Sequence, residues 1–517
     1  MELNNLGELL NFSAKRFPKK TALIFGSKKI TYAQLESAAL YLAAGLRKMG
    51  IDKGDRVALY LDNCPEFVIG YYAILKAGAV VVPINYMFKS EETEHILNDS
   101  SVVAVLTSRA YLDFIISLKK RIKTLKFIVS AQKVYQEIPD FLSVSGDLSL
   151  PEQTVVMQKE DLAVILYTSG TTGKPKGAML SHENLISNAV DSSRAIRVGR
   201  KDTFICILPL FHSFAATVCM NIPLLIGAKI VLMKSVRPFR RVIRLIRRHR
   251  VSIFTAIPSV YSILKDTKLP WILSTPFIKL VNPVRVCISG AAALPAQTFR
   301  DFENKFKLPL LEGYGLTEAS PVVTLNPLRG IRKASSIGLP VSSRIKVRIV
   351  DENGKDLPPG DVGELIVSGP NVMRGYYLQE EANRQTLRDG WLYTGDMAKF
   401  DSEGYIYIVD RKKDMVNVRG LNVYPREIEE VLCRHPEIKE AAVVGIADAH
   451  KGEVPKCYLV LKEKSKLTER DVTAYLKNHL ASYKIPKYVE FRQLLPKSAT
   501  GKILKRALSG DEEAVNA

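Results

Sequence analysis

Short apolar runs alternate with helical patterns along the first three hundred residues. Residues 57–61 (Val-Ala-Leu-Tyr-Leu), 79–82, 102–106 and 162–166 are continuous apolar runs, the texture of strands buried on both faces. Between them 6–16 is amphipathic, Thr31 stands as a helix N-cap before 32–49, 65–76 opens with proline, and 91–98 is again helical. The alternation continues through 202–231 and 251–257 to 284–289, which ends at Gly290. Strands spaced by helices predict parallel sheets with crossovers. From Ser335 the texture changes. Residues 344–350 alternate strictly, 351–354 form a turn, and 363–367 and 404–409 are further strands, predicting an antiparallel or barrel-like subdomain. Beyond Arg411 the pattern is α+β, with helices over 425–433 and 468–479 and strands over 441–445 and 457–461. The predicted class is α/β. A large N-terminal domain over 1–411 carries parallel-rich sheets wrapped by helices and a β-barrel-like subdomain over 335–411. A small α+β C-terminal domain covers 412–517.

Length supports that division, because 517 residues exceed what one core organises. Residues 203–228 carry no charge apart from His212 and are long enough to cross a bilayer, but Pro209, Asn221 and Pro223 interrupt them, which predicts buried core. The six cysteines are scattered without a C-x-x-C pair, as expected of free thiols in a reducing compartment, the cytoplasm. No basic-then-apolar leader opens the sequence. The net charge of +21 favours anionic partners such as nucleotides, CoA phosphates or an acidic membrane face. No zinc-finger or RNP-like motif is present, so nucleic acid is not the expected partner.

The chemistry concentrates after the run at 162–166. Tyr167 is followed by Thr168, Ser169, Gly170, Thr171, Thr172, Gly173, Lys174, Pro175, Lys176 and Gly177. Hydroxyls, glycines and two lysines on one loop suit a polyphosphate, because backbone N–H groups and ammonium groups converge on its oxygens. The spacing is not that of a Walker A loop. Further along come Gly313, Tyr314, Gly315, Leu316, Thr317 and Glu318; then Tyr393-Thr-Gly-Asp396; then Asp410-Arg-Lys-Lys-Asp414; then Gly420; and finally Lys502 in Ser498-Ala-Thr-Gly-Lys502. The stretches at Asp396, Asp410 to Asp414, Gly420 and Lys502, each taken alone, read as ordinary turns; the stretch ending at Thr317 and Glu318 does not.

Together, in this order and over nearly the whole chain, they resemble the adenylate-forming superfamily of acyl- and aryl-CoA synthetases, luciferases and peptide-synthetase adenylation domains. The resemblance implies the following roles. Thr168 to Gly177 cradle the ATP phosphates. Tyr314 stacks on adenine beside Gly290, Ala291, Gly313 and Gly315, and Thr317 touches the α-phosphate. Glu318, with Thr168, holds Mg²⁺, a cation that takes oxygen ligands. Asp396 and Arg411 bind the ribose. Lys413 is the pivot about which the C-terminal domain rotates, Gly420 lines the thiol tunnel after rotation, and Lys502 bridges carboxylate and phosphate during adenylation.

The acid is read from Pro209-Leu-Phe-His-Ser-Phe214 and Ser289-Gly-Ala-Ala-Ala-Leu294. Peptide-synthetase domains place an aspartate near the first stretch to hold an ammonium; here Phe211 and His212 stand instead, so an amino acid is not expected. By resemblance His212 gates the pocket. Small residues in the second stretch admit a long or bulky tail. The run from Arg237 to Arg250 reads as a basic amphipathic helix, with Phe239, Val242, Ile243 and Ile246 on one face and Arg240, Arg244, Arg247 and Arg248 on much of the other. That face fits acidic lipid headgroups. The expectation is an AMP-forming ligase joining a medium- to long-chain fatty acid to CoA, with ATP and Mg²⁺, resembling bacterial fatty acyl-CoA synthetases. It would act in the cytoplasm or at the inner membrane face, with room for a homodimer. Open alternatives are an aryl-CoA ligase of coumarate or benzoate type, an adenylate former that loads a carrier protein, and a non-catalytic relative.

Overall fold

The computed structural model describes residues 3–145, 155–168, 175–267, 282–419, 421–448, 452–463, 465–497 and 502–509. Two parallel-rich sheets carry the N-terminal part. The first runs, in spatial order, through Leu339–Pro340, Val322–Leu325, Leu310–Gly315, Val286–Ser289, Ile253–Ala256, Thr203–Cys206, Lys229–Leu232, Thr21–Phe25 and Lys28–Thr31. Its central strands are parallel and its two margins turn back antiparallel. The second runs through Gly375–Tyr376, Lys176–Ser181, Leu162–Thr168, Val80–Pro83, Arg56–Tyr60, Ala104–Thr107 and Phe127–Ser130. Val80–Pro83, Ala104–Thr107, Thr203–Cys206, Ile253–Ala256 and Val286–Ser289 are buried at every position, including the polar Thr107, Thr203, Thr255 and Ser289, as expected of strands covered on both faces.

One core lies between these sheets, built from strand residues of both, such as Leu23, Leu59, Val81 and Phe204, and from the helices Glu8–Arg16, Tyr32–Lys48 and Pro65–Lys76. Thr31 caps the second helix as its sequence predicts: its side chain accepts from Gln34 N, and the Gln34 side chain returns to Thr31 N. The uncharged stretch after Thr203 is core. It folds into a strand, the short helix Ser213–Ala215, a π-helical turn Ala216–Asn221 and Ile222–Leu225. Among the described residues no helix is long and apolar enough to cross a membrane.

Antiparallel strands follow, Lys346–Val350, Gly363–Ser368, Leu387–Arg388, Trp391–Phe400 and Ile406–Arg411, forming one sheet. After Arg411 a further sheet orders Leu421–Val423, Val416–Val418, Gly452–Leu461 and Ile438–Asp448, with Tyr488–Phe491 parallel to the third of these. The hairpin of Ile438–Asp448 with Gly452–Leu461 extends well past the two short apolar runs visible in the sequence, because its outer ends are only partly buried and carry polar residues. The helices Pro425–Leu432 and Glu469–Lys477 cover one face of that sheet. On the other face Leu508, from Lys505–Ser509, joins Ala442, Val444, Tyr458 and Val460, and its carbonyl accepts from the Tyr458 hydroxyl at 2.9 Å.

One charge pair sits inside the large core. Lys76 Nζ lies 2.8 Å from Glu36 Oε1 and donates to Gly7 O at 2.9 Å, with both side chains almost fully buried. Replacing Lys76 by Met strands a buried carboxylate, and removing one member of such a pair costs about 3–5 kcal/mol. Thermal melting should show Lys76→Met far less stable than a Lys76→Met/Glu36→Leu double variant. Equal melting of the two would exclude the stranded charge as the cause.

Candidate active site

The strands of the first sheet deliver their C-terminal ends to one crevice, the usual ligand side of a parallel sheet. Val286–Ser289 ends at Gly290, where a β-carbon would lie 2.7 Å from the Phe214 ring, so only glycine lets that ring close on the backbone. Ala291 follows in the left-handed region with φ of 69°, a strained conformation for a residue with a side chain. Leu310–Gly315 runs alongside. A β-carbon at Gly315 would meet Pro321 O at 2.0 Å, which fixes the turn that presents Thr317 and Glu318.

From there polar contacts link the sequence-predicted residues in a chain. Glu318 Oε1 accepts from the Tyr376 hydroxyl at 2.7 Å. The Tyr376 ring lies beneath Lys176 Nζ, 5.5 Å from its centroid. Lys176 and Gly177 begin the strand Lys176–Ser181, and Gly177 O accepts from Tyr377 N at 2.8 Å, so the far end of the phosphate loop is tied to the same corner. Thr168 ends the preceding strand opposite Lys176. Thr317 Oγ1 lies 3.3 Å from Ser213 Oγ, next to His212. Burial, and secondarily the Lys502 charge, lower the His212 pKa to about 4, so the ring is neutral at pH 7. Its Nδ1 accepts from Phe214 N at 3.4 Å, which leaves the proton on Nε2.

A carboxylate–guanidinium pair is formed across neighbouring strands. Asp396 faces Arg411 in the pairing of Trp391–Phe400 with Ile406–Arg411, and Arg411 Nε lies 3.4 Å from Asp396 Oδ1. The Tyr314 hydroxyl donates to Asp396 Oδ2 at 2.5 Å. Burial and the Asp396 carboxylate hold that phenol well above its ordinary pKa. Lys502 joins from the C-terminal segment. It is reached by solvent, yet surrounding protein desolvates its ammonium and Arg411 repels it; the pKa falls to about 8 despite the opposing pull of Asp396 and Asp414. Lys413 is also lowered, by desolvation first and Arg411 second. Ser169, Gly170, Thr171, Thr172, Gly173, Lys174 and Gly420 lie outside the described residues.

Two residues of this corner are not legible as site residues in the sequence. Tyr376 belongs to a two-residue strand far along the chain, and only the pairing of Gly375–Tyr376 with the phosphate-loop strand brings it to Glu318. Glu312 is fully enclosed, its pKa raised to about 7 by burial, and its Oε1 accepts from Leu294 N at 2.9 Å. It thereby pins the small-residue turn 290–294 to the strand that carries Tyr314. Its position directly before Gly313 was the available signal.

The corrections concern the basic helix. Phe239–His249 buries Val242 and packs Phe239, Leu245 and Ile246 against the core, whereas Ile243 is 42% exposed among the arginines. Ile243 does not share the apolar face: one residue beyond Val242 on a 3.6-residue period, it points about 100° away, and Leu245 takes its place.

The fold and the crevice define a two-part nucleotide-binding enzyme. The chain matches the family model of the AMP-binding enzyme over residues 10–377 and that of the AMP-binding enzyme C-terminal domain over 427–502. It belongs to the AMP-binding enzyme family. Among curated relatives, the long-chain-fatty-acid–CoA ligase of Bacillus subtilis (strain 168) is 37% identical over 544 aligned positions, covering 98% of this chain and 94% of the relative. A feruloyl-CoA synthase of Amycolatopsis sp is 34% identical, covering 95% and 96%. Among solved structures, ATP-bound MatB from Rhodopseudomonas palustris superposes with a TM-score of 0.91 at 30% identity, covering all of both chains. The apo form of MatB gives 0.80.

The depressed Lys502 pKa has a direct readout. At pH 7 a lysine with pKa near 8 is about 10% neutral, against roughly 0.03% for an ordinary one. Trace acetylation followed by mass spectrometry should modify Lys502 at least about tenfold faster than the exposed Lys48, and ATP should slow it. Equal rates would contradict the desolvated cation.

Proposed function

We propose that the protein is an AMP-forming ligase that activates medium- to long-chain fatty acids as acyl-adenylates and passes the acyl group to CoA. The single observation that carries this reading is the convergence of Lys502, from the last segment, with His212, Asp396 and Arg411 in one crevice. The whole-length likeness to long-chain-fatty-acid–CoA ligases supports the fatty acid as substrate.

In this mechanism Tyr314 and the turn at Gly290 and Ala291 flank the adenine, and Asp396 with Arg411 holds the ribose. The phosphate loop and Lys176 grip the β- and γ-phosphates. Glu318 fits a metal ligand, because one oxygen is held by Tyr376 and the carboxylate retains a second for a hard cation. With the Thr168 hydroxyl it would hold Mg²⁺, which supplies charge neutralisation at the phosphates. Neutral His212 closes the acid pocket beside Phe214 without placing a second cation next to the incoming carboxylate. Lys502 then draws the carboxylate oxygen toward the α-phosphorus. The phosphates restore its full charge on binding, so the group is cationic when it is needed. Pyrophosphate leaves, and the thiolate of CoA displaces AMP from the acyl carbon.

The second half-reaction calls for residues 412–517 to turn about Lys413 against 1–411. The present arrangement is nearer the ATP-bound than the apo form of MatB, which supports its assignment to adenylation. It is held by Asp410 Oδ2 accepting from Arg426 N at 2.8 Å and by Lys412 3.0 Å from Glu364. Rotation replaces Lys502 with the Gly420 loop at the crevice. The arginine face of Phe239–His249, with exposed Ile243 among its cations, lies against acidic lipid at the inner membrane face.

A reaction panel tests the activity. Pure protein with MgATP, CoA and acids from acetate to palmitate, plus benzoate, coumarate and ferulate, should yield acyl-CoA in amounts that rise with alkyl length. A product maximum at the aromatic acids would replace the fatty acid by the aryl reading. Adenylate without thioester would move the acceptor to a carrier protein. Cosedimentation tests the membrane face: anionic vesicles should retain the protein, and Arg240→Ala/Arg244→Ala/Arg247→Ala should release it. Equal retention on neutral and anionic vesicles would contradict that contact.

A further inference from the structure

The first sheet has a second cleft at the opposite ends of its strands. Two adjoining cavities of about 460 and 580 Å³ share Thr21, Lys201, Thr203 and Lys229 as walls. Thr203 and Lys229 begin their strands, and Ser252 directly precedes Ile253–Ala256, whereas Gly290 and Leu208 to His212 follow strand C-termini. Four residues of strand, about 13 Å, therefore separate this cleft from the nucleotide crevice. The larger cavity is lined by Lys29, Lys201, Lys229, Arg248, His249 and Arg250, the last three from the end of the basic helix and its cap.

Among the described residues these cations have no carboxylate to answer them. Asp202 is the one acidic residue lining either cavity, and it is committed elsewhere: it is bonded by Arg285 at 2.7 and 2.8 Å and by Ser252 Oγ at 2.7 Å. Among the described residues no ion pair engages Lys29, Lys201, Lys229, Arg248 or Arg250. His249 Nε2 is shut from solvent and has no hydrogen-bond partner there. The groups repel one another. Burial and the Lys29 charge lower Lys229, and His249 is lowered by burial, then by Arg248, Lys229 and Lys29. Lys20, in the smaller cavity, is lowered in the same way, but its ammonium donates to Arg200 O and Gly227 O and so serves the fold. The membrane contact proposed above accounts for the outward arginines of the helix. It does not account for half-buried Lys229 sharing one recess with Lys29, Lys201 and Arg248.

We propose that this cleft binds a phosphate group, at a site distinct from the nucleotide crevice, with Lys29, Lys201, Lys229 and Arg248 supplying the donors. Ammonium and guanidinium groups around one recess match the several oxygens of a phosphate, and such charge-assisted bonds are the strong ones. The phosphate is that of a lipid head or of a soluble phosphate, and the cleft opens beside the arginine face of the helix.

The test uses the full-length protein. Lys201 and Lys229 are acetylated in trace amounts with inorganic phosphate, with phosphatidylglycerol-containing vesicles, with neutral phosphatidylcholine vesicles, and with none. Protection by phosphate alone assigns a soluble ligand, and protection by anionic vesicles alone assigns a lipid head. Thermal melting then compares wild type with Lys29→Ala/Lys201→Ala/Lys229→Gln. The ligand that protects should raise the melting temperature of wild type and leave the variant unmoved, with affinity weakened about tenfold or more. Without ligand the variant should melt no lower than wild type, since repulsion has been removed. CoA ligation of a soluble fatty acid should be unchanged. Unprotected lysines with both phosphate sources, or a ligand-induced shift that survives in the variant, would overturn the site.

Discussion

The proposed chemistry depends on an ammonium held where its charge is least comfortable. Lys502 stands beside Arg411 and Lys413, with Asp396 and Asp414 only partly offsetting them, and its pKa drops to about 8. Desolvation makes a cation more effective toward a charge that develops nearby, because less water competes for it. The same desolvation makes the empty site costly, so the interaction is favourable only once phosphate arrives. Everything around it serves that placement. Asp396 is oriented by Tyr314 and Arg411, His212 is kept neutral, and the C-terminal sheet is buttressed on the Lys502 side by Leu508 beneath Tyr458.

Much of this architecture was legible in the sequence for simple reasons. Buried parallel strands write themselves as unbroken apolar runs, and Thr31 with Gln34 announces a helix start. The order of loops from Thr168 to Lys502 carried the family resemblance. What escaped depends on pairing between distant segments. Tyr376 reaches Glu318 only because a two-residue strand pairs with the phosphate-loop strand, and no local pattern marks so short an element. The face of the basic helix was misassigned at Ile243, since alternating arginine and apolar residues fit two stripes and only the underlying sheet chooses between them. The long hairpin from Ile438 was truncated because half-exposed strand ends lack the apolar signature.

Charge is distributed by function. In the crevice, the charges of Arg411 and Lys502 are partly balanced by Asp396 and Asp414. At the far ends of the strands the cations are unbalanced, and the excess of +21 gathers in part on a helix and a recess that carry no role in the chemistry. Like charges left facing one another weaken the fold unless an anion is present. The two ends of one parallel sheet thus present opposite problems: a crevice whose cations are partly paired, proposed here for the nucleotide, and a basic surface that any persistent phosphate would stabilise.

The most direct measurement separates the two half-reactions in Lys502→Ala. Adenylation is followed as pyrophosphate release from MgATP and a fatty acid, and thioester formation as the consumption of chemically prepared acyl-adenylate by CoA. The account predicts adenylation slowed by about 10²–10³-fold, the scale of losing one transition-state donor, with thioester formation nearly unchanged. Equal loss in both halves would contradict it, and would make Lys502 a structural residue of the crevice and not the cation that drives the first step.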